Sequence, residues 1–313
     1  MISSLIENRS LSLKIRAEPG KRSSTSYPSG CTSFMNKENY ELIEGIKCYA
    51  PEFASENDGF NKEAFELLYG LESKNFWFRA RNELIVFLVQ KHHPASVRTK
   101  YMEIGCGTGF VLSGLSKLKN LSLVGSEIYV QGLKLAQRRN PGVDFVQVDA
   151  RAMPFYNEFD GIGAFDVLEH INEDERVIEN VYGALKPGGK FLVSVPQYQF
   201  LWSQVDVRAH HQRRYSRSEL HRKLVKAGFS VVFTSSFVTA LFPVMLGSRL
   251  LRRRRTSALS SELHLPSLIN CLFYFFTKID VLLVKVGLRL PFGGSLVCIA
   301  VKDVGGTSKS VKL

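Results

Sequence analysis

Lys100-Tyr-Met-Glu-Ile-Gly-Cys-Gly-Thr-Gly109 is the stretch that decides the fold. Its apolar first part includes one acidic residue, Glu103. Three glycines follow at alternate positions: Gly105, Gly107 and Gly109. Residues 110–115 then place apolar side chains at helical spacing. This order predicts a strand, a glycine turn and a helix, an arrangement that brings backbone N–H groups close to a nucleotide-like ligand because no Cβ blocks the approach.

The glycine spacing excludes a dinucleotide fingerprint. Gly-x-Gly-x-x-Gly would need Gly or Ala at position 110, where this chain has Phe110. The order Glu-x-Gly-x-Gly-x-Gly instead resembles the first motif of class I S-adenosylmethionine-dependent methyltransferases. A purely structural turn could also use such glycines, so the following strands must decide between the two interpretations.

Acidic residues recur where the next predicted strands end. Strand 121–126 ends at Glu127, strand 143–148 at Asp149, and strand 159–165 at Asp166. The carboxyl ends of parallel strands line one crevice of an open sheet, so we expect these acids to lie together. A carboxylate in the place of Glu127 can accept hydrogen bonds from both hydroxyls of a ribose.

The resemblance covers roughly residues 65–236 and 295–302. It implies an α/β fold: a Rossmann-like, doubly wound sheet of seven strands, mostly parallel with an antiparallel last strand, plus N-terminal helices and a helical insertion before the last strand. It also implies S-adenosyl-L-methionine as the cofactor, with Asp149 at the adenine amino group. The expected cofactor-binding residues are Glu103, Gly105, Gly107, Gly109, Glu127, Ile128, Asp149, Ala150 and Asp166.

Composition shifts divide the chain into segments. Residues 1–36, rich in Ser, Arg and Lys, are expected to be a disordered tail, with a transit peptide as the alternative. The other expected segments are a helical cover at 37–98, a methyltransferase core at 99–236 and 295–303, a helical insertion at 237–294 and a flexible tail at 304–313.

Charge and cysteine content limit the partners. The five cysteines lack Cys-x-x-Cys spacing, which argues against a disulfide framework and a zinc site; we expect no metal and a cytoplasmic protein. The net charge of +12 favours phosphates, acidic substrates or anionic lipid. Nucleic acid is disfavoured, because an RNA-binding motif and the Asn/Asp-Pro-Pro-Tyr/Phe signature are both absent from the sequence.

His170 is the first candidate for a general base. Methyl transfer needs positioning above all, but a hydroxyl or ammonium nucleophile must also lose a proton. His170 follows Asp166 closely at the expected crevice mouth, and histidine titrates near neutral pH. The alternative is a structural histidine that caps the next helix or bonds to Glu169.

A second candidate site is the loop 206–215. Its His-x-Arg-Arg-Tyr run resembles a signature of a bacterial methyltransferase-11/12-like group, and we expect substrate contacts from His211, Arg214 and Tyr215. Arginine forks would grip a phosphate or carboxylate. In the alternative interpretation, Arg213 and Arg214 pair with acids within the fold while Tyr215 packs.

Three consecutive aromatic residues, Phe76 to Phe78, resemble a feature of the same bacterial group. They cannot all face one core, so Trp77 is expected either to cover the substrate pocket or to anchor a surface helix.

The insertion carries two apolar runs around Arg252–Arg255. Charges interrupt both runs, so neither predicts a comfortable membrane span. An interfacial hairpin at an anionic membrane surface fits this pattern, and it would place the protein peripherally at the inner face of the membrane. A lid over the pocket or a dimer contact fits equally well, and the oligomeric state is left open.

The sequence therefore predicts a methyltransferase acting on a small-molecule or lipid-linked acceptor. An oxygen acceptor is favoured, because the run from Asp166 to His170 resembles that of quinone O-methyltransferases. The alternatives are a non-catalytic module that binds S-adenosylmethionine and, within the enzyme class, an RNA or protein methyltransferase.

Overall fold

The computed structural model describes residues 39–54, 62–251 and 265–304. Within them, nine strands form one sheet in the order β1-β2-β5-β4-β3-β6-β7-β9-β8. The strands are β1 (Glu41–Ile43), β2 (Ile46–Cys48), β3 (Thr99–Ile104), β4 (Leu121–Glu127), β5 (Asp144–Gln147), β6 (Phe159–Phe165), β7 (Leu185–Pro196), β8 (Phe229–Phe237) and β9 (Ser295–Lys302).

The described helices flank this sheet. They are α1 (Lys62–Leu71), α2 (Phe76–His92), α3 (Phe110–Leu115), α4 (Val130–Arg139), α5 (Asp174–Ala184), α6 (Gln204–Arg208), α7 (Arg217–Lys226), α8 (Phe242–Leu251) and α9 (Ser267–Lys285). Side chains of α2, α3, α4 and α9 fill one buried cluster, and side chains of α5 and α7 fill another. Helices on both faces make the sheet doubly wound, as the sequence predicts.

Strand pairing confirms the mixed topology. From β2 through β5, β4, β3 and β6 to β7, every neighbouring pair is parallel. The last strand, β9, runs antiparallel to both β7 and β8. The strand order reverses around β3, whose neighbours are β4 and β6, and the carboxyl ends of the parallel strands share one edge there.

The predicted count of seven strands is wrong, since a short hairpin lies ahead of the helices in the segment expected to be a helical cover. Its turn holds Glu44 and Gly45, both with positive φ, as a tight two-residue hairpin turn requires. Three-residue strands are too short for periodicity to separate them from other structure. What stabilises them is the free edge of β5, where the Gln147 amide donates to and accepts from the backbone of Ala50.

The insertion between β8 and β9 is helical where it is described. Helix α9 lies along α2, and Asn270 accepts a hydrogen bond from the Phe76 N–H (2.8 Å) and donates one to the Lys74 carbonyl (2.9 Å). The buried carboxylate of Asp280 accepts from the Thr239 N–H at 2.6 Å and so fixes the turn ahead of α8. On length and composition alone, α9 could span a membrane.

Several predictions for the ends and the basic run fall outside the described residues. These are the tail 1–36, the run Arg252–Arg255 and the tail from residue 305 onward.

A buried carboxylate joins α5 to α7 and to the loop before it. Asp174 is 2% exposed and accepts a hydrogen bond from the Tyr215 hydroxyl at 2.7 Å. It also pairs with Arg213 (2.8 Å) and with the Lys223 ammonium. Burial raises the pKa of Asp174, but the bonds from Lys223 and Tyr215 outweigh burial and lower this pKa below its ordinary value.

Replacing Asp174 with Asn should destabilise the fold. The Lys223 ammonium would stay buried without its charge partner, a change that typically costs about 3–5 kcal/mol. Because the native pKa of Asp174 is lowered, its contribution is present above the unfolded-state pKa and is lost as pH falls through the folded-state value. Urea unfolding should therefore show a large difference from the wild-type protein at neutral pH and a smaller one in acid.

The control for this variant is Asp144→Asn, which changes an exposed acid on β5. We expect its free energy of unfolding to match that of the wild type. Equal stability of Asp174→Asn and wild type at neutral pH would contradict the proposed role of the buried carboxylate.

Candidate functional site

A crevice of about 550 Å³ opens at the carboxyl edge of the sheet. This volume is in the range of small-molecule sites. Eight of the residues expected from the sequence line it: Gly105, Gly107, Glu127, Ile128, Asp149, Ala150, Asp166 and His170. Parallel pairing brings them together because the strand ends meet there.

The glycines of the turn have different structural roles. Gly107 has a φ of 51°, and a Cβ built there would meet no atom within 4 Å, so it faces open space on the crevice wall. Gly109 lies just before α3, where a Cβ would come within 2.6 Å of the Asn140 amide nitrogen. Gly109 therefore allows α3 to pack beside α4 and does not line the crevice.

Glu127 has the geometry expected of a ligand-binding carboxylate. One of its oxygens accepts from the Gly107 N–H at 3.0 Å and the other from the Ile128 N–H at 2.9 Å. Burial raises the pKa of Glu127, and these N–H groups oppose that rise. Each carboxylate oxygen has more than one acceptor site, so Glu127 can still accept bonds from a ligand.

Asp149 lies at the crevice as predicted, held by a fork-like ion pair. The Arg151 guanidinium contacts both carboxylate oxygens at 2.8–3.0 Å, and the Arg151 N–H donates a further bond at 2.8 Å. These contacts fix the direction in which the carboxylate points. Arg151 lines the crevice as well, which the sequence did not indicate.

Glu103 differs from the expectation of direct ligand contact. It is 3% exposed and lies behind the glycine turn, outside the crevice lining. Burial raises the pKa of Glu103 well above its ordinary value, and the Leu112 N–H at the start of α3 opposes that rise. The side chain therefore supports the turn from behind.

Asp166 is held by a residue that sequence analysis missed. The Arg81 Nε atom lies 2.7 Å from a carboxylate oxygen of Asp166, and another Arg81 nitrogen donates to the Phe165 carbonyl at 3.1 Å. Arg81 in turn lies 4.7 Å from the centre of the Trp77 ring. Trp77 thus supports Arg81 from behind and does not line the crevice. The sequence pattern Phe-Trp-Phe-x-x-Arg, which ends at Arg81, could have indicated this residue.

The loop 206–215 follows the alternative interpretation for its arginines and tyrosine. Arg214 donates to Asp206 at 2.7 Å and to the Gln197 carbonyl at 3.2 Å, in a buried position. Tyr215 is fully buried against Asp174, and Arg213 pairs with that same acid. In the structure, Arg214 and Tyr215 therefore contact internal acids and not a substrate.

His211 and His170 meet edge-on, with ring centroids 4.7 Å apart. His211 Nδ1 lies 2.9 Å from Asp206, whose pKa is raised by burial but lowered further by His211 and Arg214, to about 2. Burial, with the nearby His211, lowers the pKa of His170 to about 4. His170 lines the crevice while His211 lies behind it.

Two neighbours of His211 line the crevice although the sequence did not single them out. They are His210 and Gln212. The Gln212 N–H donates to the Glu169 carbonyl at 2.7 Å, which holds the loop against the turn that carries His170. Long-range contacts of this kind bring them to the crevice, so no local pattern could have indicated them.

The residues present fit an adenosyl ligand. Glu127 and Asp149 offer carboxylate oxygens at neighbouring strand ends, Ile128 and Val148 offer apolar surface between them, and the wall at Gly107 is open. An adenosyl group carries hydroxyl and amino groups beside a flat apolar ring. Its polar groups are complementary to the carboxylates of this wall, and its ring is complementary to the apolar side chains.

Comparison with known proteins agrees with this fit. Residues 102–193 match the family described as "Methyltransferase domain". A probable S-adenosylmethionine-dependent methyltransferase of Mycolicibacterium smegmatis is 28% identical over 52% of this chain and 62% of its own length. A phthiotriol/phenolphthiotriol dimycocerosates methyltransferase of Mycobacterium ulcerans is 30% identical, over 41% and 49%. A demethylmenaquinone methyltransferase of Renibacterium salmoninarum is 30% identical, over 30% and 40%. The chain thus spans about half the length of these curated relatives.

Solved structures share the fold. The phosphoethanolamine N-methyltransferase 2 of Haemonchus contortus, in complex with S-adenosyl-L-methionine, aligns with a TM-score of 0.54 and 17% identity over 80% of this chain and 60% of that one. The [4+2]-cyclase SpnF aligns with a TM-score of 0.50 and 20% identity over 71% and 81%. The sheet topology, the acid-lined crevice and the family match lead to one conclusion: residues 102–193 belong to a methyltransferase domain with the class I, Rossmann-like fold, and S-adenosyl-L-methionine is the cofactor of that domain.

Proposed function

We propose that this protein methylates an oxygen atom of a small-molecule or lipid-linked acceptor. The observation that carries the proposal is the position of His170, a neutral imidazole on the wall of the same crevice that presents Glu127 and Asp149. The names of two relatives specify phthiotriol-type lipids and a menaquinone precursor, which supports an apolar acceptor.

The residues at the strand ends would bind the cofactor. Glu127 would accept bonds from the ribose hydroxyls, while Asp149 and Ala150 would lie at the adenine and Gly105, Gly107 and Ile128 would bound the remaining space. When bound, S-adenosylmethionine supplies a methyl group on a positively charged sulfur. The ion pair of Asp166 with Arg81 holds the neighbouring wall in place.

His170 would take the proton that an acceptor hydroxyl must lose. One ring N–H of His170 bonds to the Ala209 carbonyl, which fixes the tautomer. The ring is unprotonated at neutral pH, as a general base must be, and its lowered pKa makes it a weaker base than a free imidazole. Crevice walls from α1 and the loop carrying His210 would exclude water from this region.

A lipid-linked acceptor is further supported by the outer face of α9. Apolar side chains recur every three or four residues on it and on its C-cap residue, Val286, and are exposed: Leu268, Leu272, Phe275, Ile279, Leu282 and Val286. Its inner face is buried through Val281 and Val284. A continuous exposed apolar stripe on a basic protein is typical of a helix lying in a membrane interface. We infer peripheral attachment at the inner face of the cytoplasmic membrane.

Methyl transfer itself can be tested with the full chain. Incubation with methyl-labelled S-adenosylmethionine and a lipid extract of the cells that make the protein should place label in the organic phase, on an oxygen atom identified by mass spectrometry. Label in RNA or protein would contradict the proposed acceptor. Cofactor binding without any transfer would leave only a binding module.

Replacing Glu127 with Ala should weaken cofactor binding. Hydrogen bonds to a charged group are worth about 1.5–3 kcal/mol, so the Kd for S-adenosylmethionine should rise by roughly ten- to hundredfold in calorimetric titration. The Glu179→Ala variant, which removes an exposed acid from α5, is the control and should keep wild-type affinity. Unchanged affinity in folded Glu127→Ala protein would overturn the placement of the ribose.

Membrane attachment can be tested by flotation with vesicles of phosphatidylcholine and phosphatidylglycerol. The wild-type chain should float with anionic vesicles, and the Leu272→Glu/Phe275→Glu double variant should remain in solution because charge would enter the apolar stripe. Val225→Glu changes an equally exposed apolar residue on α7 and should float normally. Cofactor affinity should stay the same in all three proteins, and equal flotation of the double variant would exclude α9 as the contact.

A further inference from the structure

A cluster of metal-ligand type lies beside the crevice. Glu169, His170 and His211 each contribute one ligand atom, and these three atoms lie within 4.8 Å of one another. Glu169 and His170 belong to the short turn after β6, and His211 belongs to the loop after α6. Hydrogen bonding of that loop to the Glu169 carbonyl brings the two segments together.

The buried carboxyl group of Glu169 is the feature that indicates a ligand. Its side chain is completely buried, and both carboxylate oxygens lack a hydrogen-bond partner among the described residues. The Nε2 atom of His211 is 4.0 Å away, too far for a hydrogen bond. The neighbouring guanidinium groups of Arg81 and Arg214 are engaged by Asp166 and Asp206. An unpaired buried carboxyl group is costly, so its presence needs a physical reason.

His211 is oriented as a ligand would be. Its Nδ1 atom bonds to the fully buried Asp206 carboxylate at 2.9 Å, so Nδ1 is the donor and Nε2 is the ring atom on the Glu169 side. Asp206 is itself fixed by Arg214 at 2.7 Å and by the Ser203 N–H at 2.8 Å. A carboxylate behind a histidine is the usual outer support of a metal-bound imidazole.

His170 completes the cluster from the crevice side. The Ala209 carbonyl holds one of its ring nitrogens, which is another common support for a ligating histidine. His170 lines the crevice, whereas Glu169 and His211 lie behind it. An ion held by all three would therefore have its remaining coordination positions on the crevice side.

We propose that Glu169, His170 and His211 bind one divalent transition-metal ion beside the cofactor crevice. Two imidazoles and one carboxylate suit Zn²⁺, Co²⁺, Mn²⁺ or Fe²⁺, whereas Mg²⁺ and Ca²⁺ prefer oxygen ligands throughout. The ion would supply the positive charge that the buried Glu169 carboxylate lacks. The sequence predicted no metal because its cysteines lack ligand spacing, but none of these three ligands is a cysteine.

The site extends the proposed function and rests on it for its role. Three protein ligands leave an open position, which is the arrangement of catalytic metal sites. An acceptor hydroxyl that takes this position would have its pKa lowered by the ion, and its proton would leave to solvent at the open mouth of the crevice. The metal would thus select acceptors that carry an oxygen ligand. With the ion bound, His170 would hold it and the coordinated hydroxyl would need no side-chain base; without the ion, His170 would take the proton as proposed above.

The test uses full-length protein stripped of metal with a chelator and then titrated with Co²⁺ alone, without cofactor or acceptor. We expect one Co²⁺ per chain, with the visible absorption bands of low-coordinate Co²⁺ and displacement by Zn²⁺. Folded wild-type protein that binds no Co²⁺ would overturn the proposal. Because this measurement needs neither binding of S-adenosylmethionine nor methyl transfer, its failure is separate from failure of the proposed function.

Two variants locate the ion, Glu169→Gln and His211→Ala, and each should weaken Co²⁺ binding by at least tenfold. His210→Ala is the matched control, since His210 lines the crevice next to His211 but lies outside the cluster. It should keep wild-type Co²⁺ affinity. Equal loss in all three variants, or no loss in Glu169→Gln, would contradict the assignment, and thermal melting without metal checks that each variant is folded.

Discussion

Parallel pairing of β3 between β4 and β6 is the constraint on which the rest of the structure depends. Glu103 on β3 stands opposite Gly125 on one side and Gly163 on the other, so the three strands end level with one another. The glycine turn after β3 and the acids at the ends of β4 and β6 therefore share one edge. Because the glycines leave the turn without side chains, a ligand can reach the backbone there.

Buried carboxylates decide which residues reach that edge. Asp174 engages Arg213, Lys223 and Tyr215, while Asp206 engages Arg214 and His211. Each acid satisfies charges that would otherwise be costly to bury, and each fixes the path of the loop after α6. The basic residues of this loop consequently form ion pairs inside the protein that hold the loop in place. They hold it against the turn that bears Glu169 and His170, where the proposed acceptor and metal would meet.

Much of the fold and part of the site follow from local patterns. Apolar runs and glycine spacing predicted β3 to β6, and acids at strand ends predicted Glu127, Asp149 and Asp166 on the crevice. The hairpin of β1 and β2 did not follow, because strands of three residues carry too little periodicity and depend on the free edge of β5. Arg81, His210 and Gln212 were missed because contacts between distant segments place them.

The sequence by itself determined the chemistry of the crevice: which residue types stand at the strand ends and how closely the backbone can approach a ligand. These properties depend on neighbours in the chain, so spacing reveals them. Only the tertiary structure decided which charges are neutralised internally, which carboxyl group in the described part of the chain has both oxygens buried without a partner, and which face of α9 meets solvent. Those outcomes depend on burial and on pairing between residues far apart in sequence, and a local pattern carries no information about either.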